Sequence, residues 1–293
     1  MKKNWVLYLF ILPMVTYLII FHYIPLYGVQ IAFKNYRVTK GIWDSPWVGF
    51  DHFKTFFSSY QFWNLLRNTL TLSVYSLVAG FPLPIIFALL LHYCVSPKLK
   101  RASQMISYAP HFISVVVYCG MIVIFLSNTG VINQILMKLG FDNCKFLANP
   151  RMFKHIYVWS GVLKSIGWGS IMYIAVLASV SPELHEAATI DGATKLQRIF
   201  HVDIPAIVPT MVIMLITRCG EIMDVGFEKV LLLQNSVNLE FSEIISTYVY
   251  KIGILGGQFS YSAAIGLFNN IVNLILLVSV NKIARKCSDV SLW

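Results

Sequence analysis

An all-α, polytopic membrane fold with about six transmembrane helices is what this sequence predicts, and three observations predict it. Charged residues make up only 12% of the 293 residues and apolar ones 57%, whereas a water-soluble domain carries about a quarter charged residues. The apolar residues gather into six stretches, about 5–27, 68–93, 106–126, 156–180, 205–226 and 262–281, each near the roughly 20 residues that cross a hydrocarbon core. These stretches lack period-2 alternation and are too long for barrel strands, so the backbone must satisfy its polar groups inside helices.

The first stretch follows Lys2 and Lys3; its apolar part is too long for a signal peptide and no small-x-small cleavage site follows, so it reads as a retained anchor with the N-terminus cytoplasmic. An even number of spans returns the C-terminus to the cytoplasm, where Lys282, Arg285 and Lys286 suit the positive-inside rule. The same topology places Lys98, Lys100, Arg101, Lys195 and Arg198 inside. Basic residues of the external segments are spread over a longer stretch of chain, so the bias is one of density. Between spans one and two, residues 28–66 form a long external segment. Its Gly41–Gly49 portion is turn-like and aromatic, and Phe50–Phe57 with Tyr60–Trp63 reads as an amphipathic helix along the interface. Pro82 and Pro84 must kink the second span, either beside a cavity or as a packing kink alone. The third span begins at Tyr108-Ala-Pro-His111 and ends at Asn128-Thr-Gly130. Small residues in the fourth, among them Gly161, Gly167, Gly169 and Ser170, allow close helix approach and mark it as central. The segment 227–260 fits a re-entrant or cavity-lining element. In the sixth span Asn269, Asn270 and Asn273 are placed to bond neighbouring helices.

Cysteines 94, 119, 144, 219 and 287 show no CxxC or His-Cys spacing. There is no P-loop, GxGxxG, HExxH or nucleophile elbow, and no span carries paired catalytic carboxylates or metal-ligand spacing. The expectation is a chain with no catalytic residues, no metal site and no cofactor of its own. The net charge of +10 reads as membrane orientation, with no sign of nucleic-acid binding.

Between the fourth and fifth stretches lies a partly polar element. Ser181-Pro182-Glu183 opens a helix with a hydroxyl cap, a proline in the first turn and an acid where the helix dipole favours it. Asp191-Gly192 breaks that helix. A second turn follows, with Leu196, Ile199 and Phe200 on one stripe, and Ile204-Pro205 closes it. The run Glu186-Ala-Ala-Thr-Ile-Asp-Gly192 resembles the coupling loop, or EAA motif, of permease subunits in binding-protein-dependent ABC importers. Thr189 stands where some members carry a third Ala. The order of spans is similar to the maltose-type carbohydrate permeases. The stretches Pro25–Phe33, Ser45–Phe53, Ala109–Ser114, Lys164–Ser170 and the C-terminal Ser-Leu-Trp look like the branch that imports polysaccharide fragments and complex oligosaccharides. The resemblance covers nearly the whole chain, residues 1–293, as a single permease domain with its coupling loop at about 181–204. It implies a multi-pass protein of the cell membrane and a partner set: a second, similar permease, two cytoplasmic ATPases that hold ATP and Mg, and an external sugar-binding protein. Carried over by motif, Glu186, Ala187, Ala188, Asp191, Gly192, Ile204 and Pro205 would couple the ATPase to the spans.

The fifth stretch carries Arg218, Glu221 and Asp224 at successive i+3 steps, which on one helix would share a face. Ionisable groups in a membrane are costly, so they should face a wet cavity or one another. In a cavity they suit sugar hydroxyls or a carboxylated sugar; otherwise they form a structural ion-pair network. Trp168, Tyr173, Tyr248 and Tyr250 offer flat faces for pyranose rings, or serve as packing and interface anchors. The competing function is an ion-coupled secondary carrier of a polar solute, which would call for inverted repeats that the sequence does not display.

Overall fold

The computed structural model describes residues 5–287 and 291, without the side chains of Val6, Leu7 and Cys287. Lys2, Lys3 and the Leu292-Trp293 end of the Ser-Leu-Trp motif lie outside the described residues. In chain order the helices are α1 (Trp5–Leu18), α2 (Asp51–Phe57), α3 (Phe62–Gly80), α4 (Pro82–His92), α5 (Pro97–Tyr108), α6 (Val115–Phe125), α7 (Val131–Lys138) and α8 (Met152–Ser179). There follow α9 (Pro182–Ile190), α10 (Lys195–Arg198), α11 (Ile204–Gly220), α12 (Phe227–Leu233), α13 (Leu239–Ser242), α14 (Ile245–Tyr250) and α15 (Phe259–Cys287). Among the described residues the only extended pairings are the isolated bridges Lys34–Trp47 and Arg37–Gly41, in keeping with an all-α fold.

Five helical runs are long and apolar enough to cross a membrane: Tyr8–Phe33, Phe62–His92, Met152–Ser179, Lys195–Gly220 and Phe259–Lys286. The third stretch differs from expectation. Residues 106–126 are not one straight crossing but part of a bent pair, Pro97–Phe112 and Val115–Phe125, turned by 105°. Pro110 has no N–H to continue α5, Ile113 turns extended, and the Ser114 side chain caps α6 by accepting from Val117 N. With 11 residues, α6 is about 16 Å long, well short of the ~30 Å hydrocarbon core.

Two prolines that look like helix ends are instead absorbed. Ile19–Tyr23 and Ile199–Asp203 are π turns, each followed by Ile-Pro. In both, the isoleucine N–H bonds the carbonyl five residues back, so the register has already slipped where the proline lacks its donor. Pro205 therefore does not close the loop, and the helix runs on through it. Pro82 acts differently: α3 stops at Gly80 and α4 restarts after a one-residue turn at Phe81.

The described chain forms two compact units. Of the described residues, one unit comprises those up to 63 together with 248–271, the other 64–247 together with those from 272 on. In the first, Phe53 of α2 packs with Ala32 and Ala264. Phe56 meets Phe62 and Phe268 edge-on, with centroids 5.1 and 5.7 Å apart. The interfacial helix is thus shorter than expected, since Phe62 and Trp63 already belong to α3, and its buried face is spent on protein. In the second unit α8 is the hub and touches α4, α5, α11, α12 and α13. Its glycines set the spacing. A Cβ at Gly167 would collide with the Ser107 backbone of α5, and one at Gly169 would come within 3.2 Å of Pro84 in α4.

Candidate functional site

Within the second unit, α3, α4, α8, the end of α11 and α12 enclose a cavity of about 480 Å³, inside the ~300–1,000 Å³ range of small-molecule sites. The kink at Gly80, Phe81 and Pro84 forms part of its wall, so these residues face a cavity as well as packing. On α3, Ser73 and Ser76 present hydroxyls that are buried and make no hydrogen bond. Unpaired buried hydroxyls are unfavourable, and a ligand or ordered water would satisfy them. The α8 wall follows helical spacing through Tyr157, Gly161, Ser165, Trp168 and Met172.

Arg218, Glu221 and Asp224 all line this cavity, but not as one helical face. Helix α11 ends at Gly220, Glu221 leaves helical geometry with φ −108 and ψ 15, and residues 221–223 form a turn. The turn is held by α15: Asn273 Oδ1 accepts from Met223 N at 2.9 Å and its Nδ2 donates to Asp224 Oδ2 at 2.8 Å. Asn273 thus makes the cross-element bonds that the sequence suggested. No ion pair joins Arg218 to Glu221 among the described residues. A cation that sequence reasoning passed over completes the wall: Lys229 of α12 lies over the Tyr157 ring at 4.5 Å and donates to the Tyr157 carbonyl at 2.6 Å. Burial pushes its ammonium down to about 7.

Of the aromatic candidates, Trp168 and Tyr173 line the cavity. Trp168 is stacked on His111 with centroids 4.3 Å apart and planes 2° from parallel, which uses one ring face. Tyr173 is only 4% exposed and belongs mainly to a core with Ile85, Leu177 and Ile207. Tyr248 and Tyr250 are not among the lining residues; Tyr248 is 9% exposed. One missed signal was present in the sequence: Thr69, Ser73, Ser76 and Gly80 form a stripe of small and polar residues at helical spacing along α3. Lys229 had no such signal.

The stretch 181–204 is built as a break between two helices. Ser181 caps α9 by accepting from Glu183 N. At the other end Gly192 adopts φ +78, Gly192 N bonds Thr189 O at 3.1 Å and Ala193 N bonds Ala188 O at 2.9 Å, the paired pattern of a Schellman motif. Thr194 and Gln197 then form a reciprocal capping box at the start of α10. Glu186, Ala187 and Asp191 are exposed, and Ala188 is half-buried. Beside them Ile190, Leu196 and Phe200 are exposed apolar side chains, the composition of a contact surface.

A polytopic all-α chain with an exposed, doubly capped loop and a polar cavity among its helices has the makings of a transport subunit. Residues 63–288 match the family of binding-protein-dependent transport system inner membrane components, and the chain belongs to that family. It is the permease subunit of an ABC importer, a non-catalytic multi-pass protein of the cell membrane, and works with ABC importer partners. That membership displaces the ion-coupled carrier. Protein LplB of Bacillus subtilis is 42% identical over 294 residues, covering 100% of this chain and 92% of that one. The polygalacturonan/rhamnogalacturonan transport system permease protein YteP of the same organism is 39% identical over 288 residues, covering 98% and 90%. Among solved structures, a chain of a bacterial alginate ABC transporter in complex with an alginate pentasaccharide-bound periplasmic protein matches with a TM-score of 0.92 and 40% identity, covering 99% of this chain and 98% of that one.

Proposed function

We propose that this chain forms one half of an ATP-driven import path for an oligosaccharide. A second, similar permease completes the path, an external binding protein delivers the sugar, and two cytoplasmic ATPases carrying ATP and Mg dock on residues 181–204. The observation that carries the reading is the cavity wall, which combines Arg218, Glu221, Asp224 and Lys229 with the unpartnered hydroxyls of Ser73 and Ser76. Such a wall suits a hydroxyl-rich ligand: the cations donate to hydroxyls or to a sugar carboxylate, and the carboxylates accept from hydroxyls. The names of the relatives, which refer to polygalacturonan, rhamnogalacturonan and alginate, favour oligosaccharides that include uronic acids. Docking at 181–204 is supported by the exposed Ile190, Leu196 and Phe200 and by the break at Gly192, which lets α9 and α10 present two short faces.

The test uses Glu221→Gln, which keeps shape and some hydrogen bonding while removing charge. Uptake of an oligosaccharide should drop roughly tenfold or more, the worth of a charge-assisted hydrogen bond of about 1.5–3 kcal/mol, while the amount of assembled complex in the same membranes stays level. If uptake and complex yield fall by the same factor, Glu221 serves assembly and the sugar is held elsewhere.

A further inference from the structure

Three potential metal ligands meet where the loop 181–204 joins the spans, and each comes from a different element. His92 is the last residue of α4, His185 lies in α9, and Asp203 ends the π turn that leads into α11. The ligand atoms of all three lie within 4.8 Å of one another. Asp203 is fully buried, and its oxygens have unequal surroundings. Oδ2 accepts from the Tyr93 hydroxyl at 2.6 Å. Oδ1 faces His185 Nε2 at 3.4 Å and His92 Nε2 at 3.9 Å, yet neither Asp203 Oδ1 nor His185 Nε2 makes a hydrogen bond, although both atoms are buried.

A buried carboxylate oxygen pointing at two imidazoles without a hydrogen bond is costly, and a cation between the three would satisfy it. Around a tetrahedral ion with bonds of about 2.0–2.1 Å, ligand atoms sit about 3.3 Å apart. The His185–Asp203 pair already has that spacing; His92 Nε2 stands 3.9 Å from the same oxygen and within 4.8 Å of the His185 ligand atom, so its ring has to move inward by about 0.5–1.5 Å to join them. Tyr93 supplies the outer hydrogen bond that fixes a ligating carboxylate. No pair of these ligands lies at a metal-motif spacing in sequence, which is why inspection of single helices finds nothing.

We propose that His92, His185 and Asp203 bind a divalent first-row transition ion of the zinc or cobalt class, with the fourth position open to water. Two imidazoles and one carboxylate suit such an ion better than magnesium or calcium, which take oxygen ligands. Bound there, the ion ties α9 to α4 and α11, and so clips the loop to two spans.

Cobalt(II) is the probe. The full-length chain, co-expressed with its transporter partners, purified through a tag without histidines and stripped with chelator, is titrated in the absence of nucleotide. The expected result is one more Co²⁺ bound, with tetrahedral visible absorption, in the wild type than in His185→Gln. Tyr93→Phe should weaken that binding by roughly 10–100-fold, as loss of an outer-shell partner does. His185→Cys should restore binding and add a sulfur-to-cobalt charge-transfer band in the near ultraviolet that the wild type lacks. Equal Co²⁺ binding by the wild type and His185→Gln overturns the proposal. So does an assembled His185→Cys complex without the charge-transfer band, which would leave the cluster a protein-only contact.

Discussion

Lys229 lies outside the membrane-spanning helices and lines the cavity. With its ammonium pushed from 10.5 down to about 7 by burial, the sign of its pH dependence follows: it is charged below about pH 7 and neutral above. Under the proposed function, an acidic oligosaccharide meets two cavity cations at about pH 6 and chiefly Arg218 at about pH 8. Uptake of a uronic-acid oligosaccharide should therefore fall by something on the order of tenfold across that window, the value of one charge-assisted bond. A neutral oligosaccharide of equal length should not show the fall, and Lys229→Gln should flatten the profile. Parallel profiles for the two sugars would remove Lys229 from recognition. At this scale the sequence was legible in part. Arg218 and Glu221 are conspicuous because charge is rare in these spans, whereas Lys229 sits in a polar segment where a lysine draws no notice.

The elements show where local rules hold and where neighbours override them. Helix α8 was readable as central from its small residues, and the reason is close approach: a Cβ on Gly167 would meet the Ser107 backbone, which cannot move aside as a side chain can. Gly167→Ala should therefore cost about 1–3 kcal/mol, the range for overpacking, and lower the melting temperature of the purified complex. Gly120→Ala, where a Cβ meets nothing within 4 Å, is the control and should leave it unchanged. Equal melting temperatures for the two variants would mean that α5 and α8 are not so closely seated. Helix α11 is the opposite case. Its apolar pattern runs on to residue 226, yet the helix ends at Gly220, since Asn273 of α15 offers Met223 N a partner at 2.9 Å. A tertiary hydrogen bond thus replaces the helical one.

For the molecule as a whole, the proposed function makes the loop 181–204 the place where work done by the partner ATPases reaches the spans. The isolated chain should hydrolyse no ATP, and co-purification of an ATPase should depend on this loop. Gly192 sits at φ +78, and a Cβ there would meet nothing within 4 Å, so Gly192→Val is opposed by backbone strain of about 1–2 kcal/mol with no clash at Cβ. The variant should insert and assemble, yet uncouple ATP hydrolysis from uptake. Normal transport by Gly192→Val would show that the left-handed break between α9 and α10 is not needed for coupling.

By itself the sequence determined the all-α membrane class, the approximate places of five of the six helical spans, the capped break at Gly192 and the membership that its motifs suggested. These are local properties: apolar length, capping chemistry and proline or glycine geometry act over a few turns of one helix. Only the tertiary structure decided the 105° bend in the third stretch, the early end of α11, the placing of Ser73, Ser76 and Lys229 around one cavity, and the meeting of His92, His185 and Asp203. Each of these depends on side chains far apart in the chain, whose partners are chosen by how helices pack and which buried polar atoms remain to be satisfied. Spacing along a single helix carries no record of that choice.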